Sequence, residues 1–203
     1  MHLKIALVGA AALASVGLGA TPALASQPSL DPVAASAAPA ATSQVHVYQF
    51  MEARHSAKDL AVLNASSTPG QQIVQFTRNT GHGQEWEINN LVSPPSNTFA
   101  PDRQIKNRLS GLCLDIENNS LAAGAFVVQN PCDANDPAQR WVVTKLAQVF
   151  TPDGGYRRYM NKNSGLVMDI TGASTANNAR LVQYFSHGGD NQLFQQVFAE
   201  ASF

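Results

Sequence analysis

The feature that most constrains this chain is an internal repeat. Slid by 54 residues, Ser164–Tyr184 lies over Ser110–Asn130, and slid again it lies over Ser56–Phe76, with no gap across 21 positions. Four positions are identical in all three copies: Ser56/Ser110/Ser164, Ser66/Ser120/Ser174, Val74/Val128/Val182 and Gln75/Gln129/Gln183. Others keep their character, as in Leu60/Leu114/Met168 and Val62/Ile116/Ile170. Self-similarity at a fixed period means one supersecondary unit that buries its apolar face against its neighbours. Three copies suffice to close a pseudo-threefold domain and are few for an open solenoid.

The repeats do not occupy the whole of the 203 residues. Met1–Ala25 reads as a signal peptide: Lys4, then an apolar Ala- and Leu-rich run, then Ala23-Leu24-Ala25, a small-x-small cleavage pattern. The run is short, Gly- and Ala-rich and lacks a basic flank, which argues against a membrane anchor. No other stretch approaches the ~20 apolar residues of a spanning helix. Residues 26–43 are rich in Ala, Pro and Ser and read as a flexible linker, because they cannot bury enough surface to offset their ordering entropy. The folded domain is expected over 44–203, exported and extracellular. Cleavage removes Lys4 and leaves 12 basic against 14 acidic residues. Nothing in that balance offers the basic stripe a nucleic acid needs. No membrane partner is expected once the leader is gone. The Arg157-Arg158 pair reads as a solvated strand edge or loop.

Short β-branched runs between Gly, Pro and Asn clusters dominate, and no long window carries a 3.6-residue apolar period, so the expected class is all-β. The first repeat predicts strands over Gln44–Phe50, Asp59–Asn64 and Gln72–Thr77, with a short one ending at Ile88. The second predicts them around Ile105, Leu112–Ile116, Ala125–Gln129 and Trp141–Val143. The third opens at Tyr156–Asn161 after a turn at Asp153-Gly154-Gly155. Asn89–Asp102 reads as a link between repeats. Gly70, Gly124 and Asn178 are equivalent, and Gly and Asn enter the left-handed region most cheaply, so the same tight turn is expected in each copy. Cys113 and Cys132 sit in the second repeat. An even count in an exported chain suggests a bridge, the alternative being two buried thiols.

Each repeat also places a large ring two residues after a glutamine: Gln84-x-Trp86, Gln139-x-Trp141 and Gln192-x-Phe194. Three equivalent rings meeting near an axis are expected to form a core layer, with each glutamine bonding backbone inside its own repeat. The repeated Q-x-W/F pattern and the strands G-L-C-L-D-I and G-L-V-M-D-I resemble the ricin B-type lectin family across the whole folded region. That resemblance implies a secreted β-trefoil that binds carbohydrate without a cofactor. The two cysteines also resemble the paired positions of that family's subdomains.

A sugar presents an apolar C–H face and a ring of hydroxyls, so its site wants an aromatic platform beside fixed polar groups. A carboxylate accepts two hydroxyl bonds at once, and such charge-assisted bonds are the stronger ones. The resemblance implies an Asp on the early strand, a ring after the next strand, and an Asn before the Q-x-W glutamine. The third repeat has the full set: Asp169, Tyr184 (or Phe185, since the spacing is ambiguous by one), Asn191 and Gln192. His187 lies in the same loop and can line the rim. Asp169 lies between apolar Met168 and Ile170, so it points to the opposite strand face, where it and Tyr184 are expected to meet solvent. The second repeat keeps Asp115 but carries Asn130 for the ring and Ala138 for the amide. The first keeps a ring, Phe76, but has Ala61 and Gly83 for the polar pair, with Asp59 two residues early. One good site, one doubtful and one dead are expected.

The sequence lacks a G-x-S-x-G elbow and an H-E-x-x-H, and His46, His55, His82 and His187 show no metal-ligand spacing. Glycoside cleavage needs two facing carboxylates, whereas Asp115 and Asp169 fall in different repeats. An enzyme is therefore not expected, and the folded region leaves no room for a catalytic domain. The expected function is recognition of galactose-like or polysaccharide glycans. The alternative is a trefoil with degenerate sugar sites that binds a protein, for example as a hydrolase inhibitor.

Overall fold

The computed structural model describes residues 45–91, 102–145 and 155–202. The leader, the linker, Gln44, most of the Asn89–Asp102 link, Asp153 and Gly154 lie outside the described residues. No helix among the described residues is long and apolar enough to cross a membrane.

The architecture is a β-trefoil of three four-stranded units. The first holds β1 (His46–Ala53), β2 (Lys58–Val62), β3 (Gln71–Phe76) and β4 (Trp86–Asn90). The second holds β5 (Asp102–Asn107), β6 (Cys113–Ile116), β7 (Val127–Asn130) and β8 (Trp141–Lys145). The third holds β9 (Arg157–Asn161), β10 (Val167–Ile170), β11 (Leu181–Tyr184) and β12 (Phe194–Ser202). The first and last strands of the units form a closed ring, each pairing antiparallel with the next: β1–β4, β4–β5, β5–β8, β8–β9, β9–β12 and β12–β1. Closure leaves that barrel without an edge. The middle strands form three hairpins, β2–β3, β6–β7 and β10–β11.

The expected strands are all present, with shifted ends. The first hairpin strand stops at Val62 rather than Asn64, because Leu63–Ala65 turns as a 3-10 segment in which Asn64 has φ of 59°. Asn118 and Gly172 repeat that conformation at φ of 55° and 62°. The tight turn expected at Gly70, Gly124 and Asn178 is present, with φ of 79°, 86° and 64°. Arg157 and Arg158 differ from expectation: they lie in β9, which pairs with β8 on one side and β12 on the other, so they are not at an edge. Both are half-buried, and Arg157 Nη1 donates to Gln196 Oε1 at 2.6 Å.

The core explains the repeated ring. Trp86, Trp141 and Phe194 are fully buried in one cluster with Met51, Ile105 and Tyr159 from the equivalent barrel strands. Each tryptophan also ties to its own hairpin, Trp86 Nε1 donating to Leu60 O at 3.0 Å and Trp141 Nε1 to Leu114 O at 3.3 Å.

Three of the four invariant positions, the two serines and the glutamine, form one interaction repeated three times. Gln75 Nε2 donates to Ser174 O and Ala176 O at 2.6 and 2.9 Å, while Ser56 Oγ donates to its Oε1 at 2.8 Å. Gln129 does the same with Ser66 O, Thr68 O and Ser110 Oγ. Gln183 does so with Ser120 O, Ala122 O and Ser164 Oγ. Ser66, Ser120 and Ser174 fold the grasped turn by accepting the N–H two residues on. The turn then returns an N–H to the glutamine's carbonyl: Asn178 to Gln75, Gly70 to Gln129, Gly124 to Gln183. The first repeat grips the third, the second grips the first, and the third grips the second. Cys113 and Cys132 are bridged, with Cα atoms 5.0 Å apart.

Two stability outcomes follow. Gln183→Leu strands two carbonyls and a hydroxyl, and is expected to cost about 3 kcal/mol in urea unfolding. A loss below about 1 kcal/mol would count against the grip as a main tie between repeats. Reducing the Cys113–Cys132 bridge frees a short loop and is expected to lower stability by about 3 kcal/mol, measured by the same titration with and without reductant.

Candidate functional site

The three hairpins carry equivalent clefts, and the repeats differ in what fills each. In the third, Met168 and Ile170 enter the core, which turns Asp169 to the other face of β10, opposite Val182. Asp169 is not solvent-facing as expected: it is 4% exposed. Two side chains cover it. Gln192 Nε2 donates to its Oδ2 at 2.8 Å, and His187 Nε2 approaches the same oxygen at 3.0 Å. Gly189 N–H donates to His187 Nδ1 at 3.2 Å, so that nitrogen is the acceptor and Nε2 carries the hydrogen toward Asp169. No hydrogen bond among the described residues ends on Asp169 Oδ1.

Tyr184, 43% exposed, lines the cleft beside this carboxylate; its ring meets His187 edge-on at 6.3 Å. Phe185 is 63% exposed and packs edge-to-face on Tyr184 at 5.7 Å, outside the cleft lining. Asn191 lines the cleft but is buried, and its Nδ2 donates to Ile170 O at 3.0 Å. Gln192 is fully buried and does not line the cleft. Its Oε1 accepts His187 N–H and its Nε2 also reaches Phe185 O, so it shapes the loop and aims Asp169. The cleft holds about 690 Å³. Gly124 and Phe126, from the second repeat, complete its wall. Sequence reading missed this contribution, although the equivalence of Gly124 with Gly70 and Asn178 marked the turn that delivers it.

The second repeat is closed. Asp115 Oδ2 accepts from Asn130 Nδ2 at 3.0 Å and Gln139 Nε2 at 3.1 Å, and Oδ1 accepts Ile116 N–H at 2.6 Å. Asn130, standing where Tyr184 stands, folds over the carboxylate and accepts Gly70 N–H at 3.0 Å. The first repeat has an open cleft of about 280 Å³ lined by Ala61, Phe76 and Gly83, with no carboxylate among its lining residues. Asp59 does not compensate. It is fully buried and gripped by Arg78 through two bonds, Nε to Oδ2 at 2.7 Å and Nη2 to Oδ1 at 2.9 Å. Burial pushes the Asp59 carboxyl above the usual range, with Arg78 pulling the other way. In all three repeats the Q-x-W/F glutamine bonds backbone of its own unit, Gln84 to Phe76 O and Thr77 O, Gln139 to Pro131 O, Gln192 to Phe185 O.

Known proteins share both the architecture and the sequence pattern. The chain is 33% identical to ThreeFoil, a designed threefold-symmetric protein, over 74% of this chain and 97% of that one, with a TM-score of 0.63. An exo-β-1,3-galactanase from Clostridium thermocellum aligns at 25% identity and a TM-score of 0.66 over 75% of this chain, which spans only 30% of that enzyme. An earthworm R-type lectin C-half, solved with GalNAc, shares the fold at 17% identity and a TM-score of 0.53, over 75% of this chain and 99% of that one. No match is found among curated protein sequences. The family model for ricin-type β-trefoil lectin domain-like proteins matches residues 95–184 and 146–202. Those two spans cover more than half of the chain and both carry the strand and ring pattern that builds the barrel, so the chain belongs to the ricin-type β-trefoil lectin domain-like family.

Proposed function

We propose that the protein is a carbohydrate-binding module that recognises galactose-like or polysaccharide glycans through its third repeat, without catalysis and without a cofactor. One observation carries this reading. A carboxylate aimed by two neighbouring N–H groups stands beside an exposed tyrosine ring in an open cleft, and only the third repeat combines the two. Asp169 accepts sugar hydroxyls through Oδ1, Tyr184 takes the C–H face, and His187 and Asn191 border the ring. Gln192 positions Asp169 from below rather than touching the sugar. The galactose reading takes support from the galactanase among the similar structures, a longer protein of which this chain spans a part. Export is part of the proposal: residues 1–25 serve as signal peptide, 26–43 as linker and 44–203 as the binding domain. The bridged cysteines support an oxidising compartment.

A second reading, a trefoil that binds a protein through its loops, draws on the closed second cleft and on the exposed Phe185. Glycan-array binding of the mature chain separates the two: glycan capture favours the first, and silence across the array favours the second.

Calorimetric titration with galactose tests the assignment. A single shallow site is expected, with a dissociation constant of order mM, or about −4 kcal/mol. Tyr184→Ala is expected to abolish measurable binding through loss of the stacking surface. Asp169→Asn keeps shape but removes the charged acceptor, and is expected to lose ~1.5–3 kcal/mol, most of that affinity. Asp115→Asn is expected to leave binding intact. A larger loss from Asp115→Asn than from Asp169→Asn would move the site to the second repeat. Intact mass of the exported protein is expected to begin at Ser26, and retention of residues 1–25 would overturn the secretory reading.

A further inference from the structure

The third cleft is longer than a single sugar ring over Tyr184 requires. Arg180, Val182 and Tyr184 fall at alternate positions along one extended run, so they share one face, and all three line the cleft. Val182 is buried and forms the floor. Arg180 and Tyr184 stand at its two ends, about 13 Å apart by strand rise.

Arg180 is held by a ring rather than by an ion pair among the described residues. Its Cζ lies 4.8 Å from the centroid of the Phe126 ring, delivered from the second repeat. No carboxylate among the described residues pairs with it, whereas Arg78, Arg108 and Arg140 each close on one. An aromatic ring beneath a guanidinium fixes its plane and leaves its N–H fork for another partner. The equivalent positions carry Gln72 and Phe126, so the cation and its ring come together only in this cleft. Asp169 stands midway along the run, across from Val182, and Arg180 is the one lysine or arginine among the residues that line the cleft. The two ends therefore differ in that only the Arg180 end offers a guanidinium, and an anionic residue of a ligand lying along the cleft is favoured there.

We propose that the third cleft takes an anionic glycan, with a neutral ring over Tyr184 and an adjoining residue whose carboxylate or sulfate pairs with Arg180. This rests on the carbohydrate reading above and names its substrate class. Both anions offer the paired oxygens that a guanidinium fork engages through two bonds.

The test is calorimetric titration of the mature chain with three ligands: a neutral galactose disaccharide, the same disaccharide with a uronic acid as its second ring, and the same disaccharide sulfated on that ring. At low salt at least one anionic form is expected to bind about fivefold tighter than the neutral one, the range of an exposed ion pair. The uronate and sulfate arms tell which anion is preferred. The advantage is expected to vanish near ~1 M salt, where the screening length is short. Arg180→Gln, which installs the residue found at the first repeat's equivalent position, is expected to bring the anionic ligands down to the neutral affinity. Equal affinity for all three ligands, or a preference that survives R180Q, overturns the anionic end while leaving the carbohydrate reading in force. Binding of none of the three overturns both.

Discussion

The structure depends on one buried side-chain amide used three times. Gln75, Gln129 and Gln183 each reach out of their own hairpin and satisfy two carbonyls in a turn of another repeat. A hairpin of two short strands is marginal alone in water. Here each hairpin holds one neighbour and is held by the other, and the cycle has no free end. Two of the three invariant partners serve the same amide: one serine loads its oxygen and another shapes the grasped turn. The glutamine cannot be exchanged for an apolar residue without stranding three polar groups at once. That accounts for identity at these positions when most others have drifted.

Local pattern made much of this legible. The shift of 54 residues, the Q-x-W/F rings and the Gly70/Gly124/Asn178 turns announced three units around a common core, and the core rings and turn conformations follow that reading. Strand limits were less legible, because Asn64 reads as a strand end and instead turns left-handed. The environment of Asp169 was less legible still. Alternation put it on the face away from the core, but whether it stays bare there depends on His187 and Gln192 folding over it from a later loop. The wall supplied by Gly124 and Phe126 comes from a different repeat, more than 40 residues from Asp169 in sequence. No local period reports such a neighbour.

The clefts diverge by single side chains on a shared scaffold. A tyrosine at one position leaves the third cleft open, an asparagine there closes the second by bonding its own Asp115, and alanine in place of the carboxylate empties the first. The glutamines of the Q-x-W/F motif remain in all three because they hold the loop backbone whether or not a ligand is held. The positions at which the clefts differ are thus not the ones that tie the repeats together, and a cleft can change while the scaffold stays.

The barrel seam has a kinetic consequence. β1 and β12 pair from His46↔Ser202 to Ala53↔Phe194, which joins strands from opposite ends of the described chain. Until β12 exists, β1 lacks its longest partner and the ring stays open. Contacts this distant in sequence delay folding, because chain entropy is lost before the contacts repay it. A chain emerging from its N-terminus therefore cannot lock its barrel while its last strand is still missing. Such a chain remains pliable through most of its synthesis and gains its rigidity in one late step.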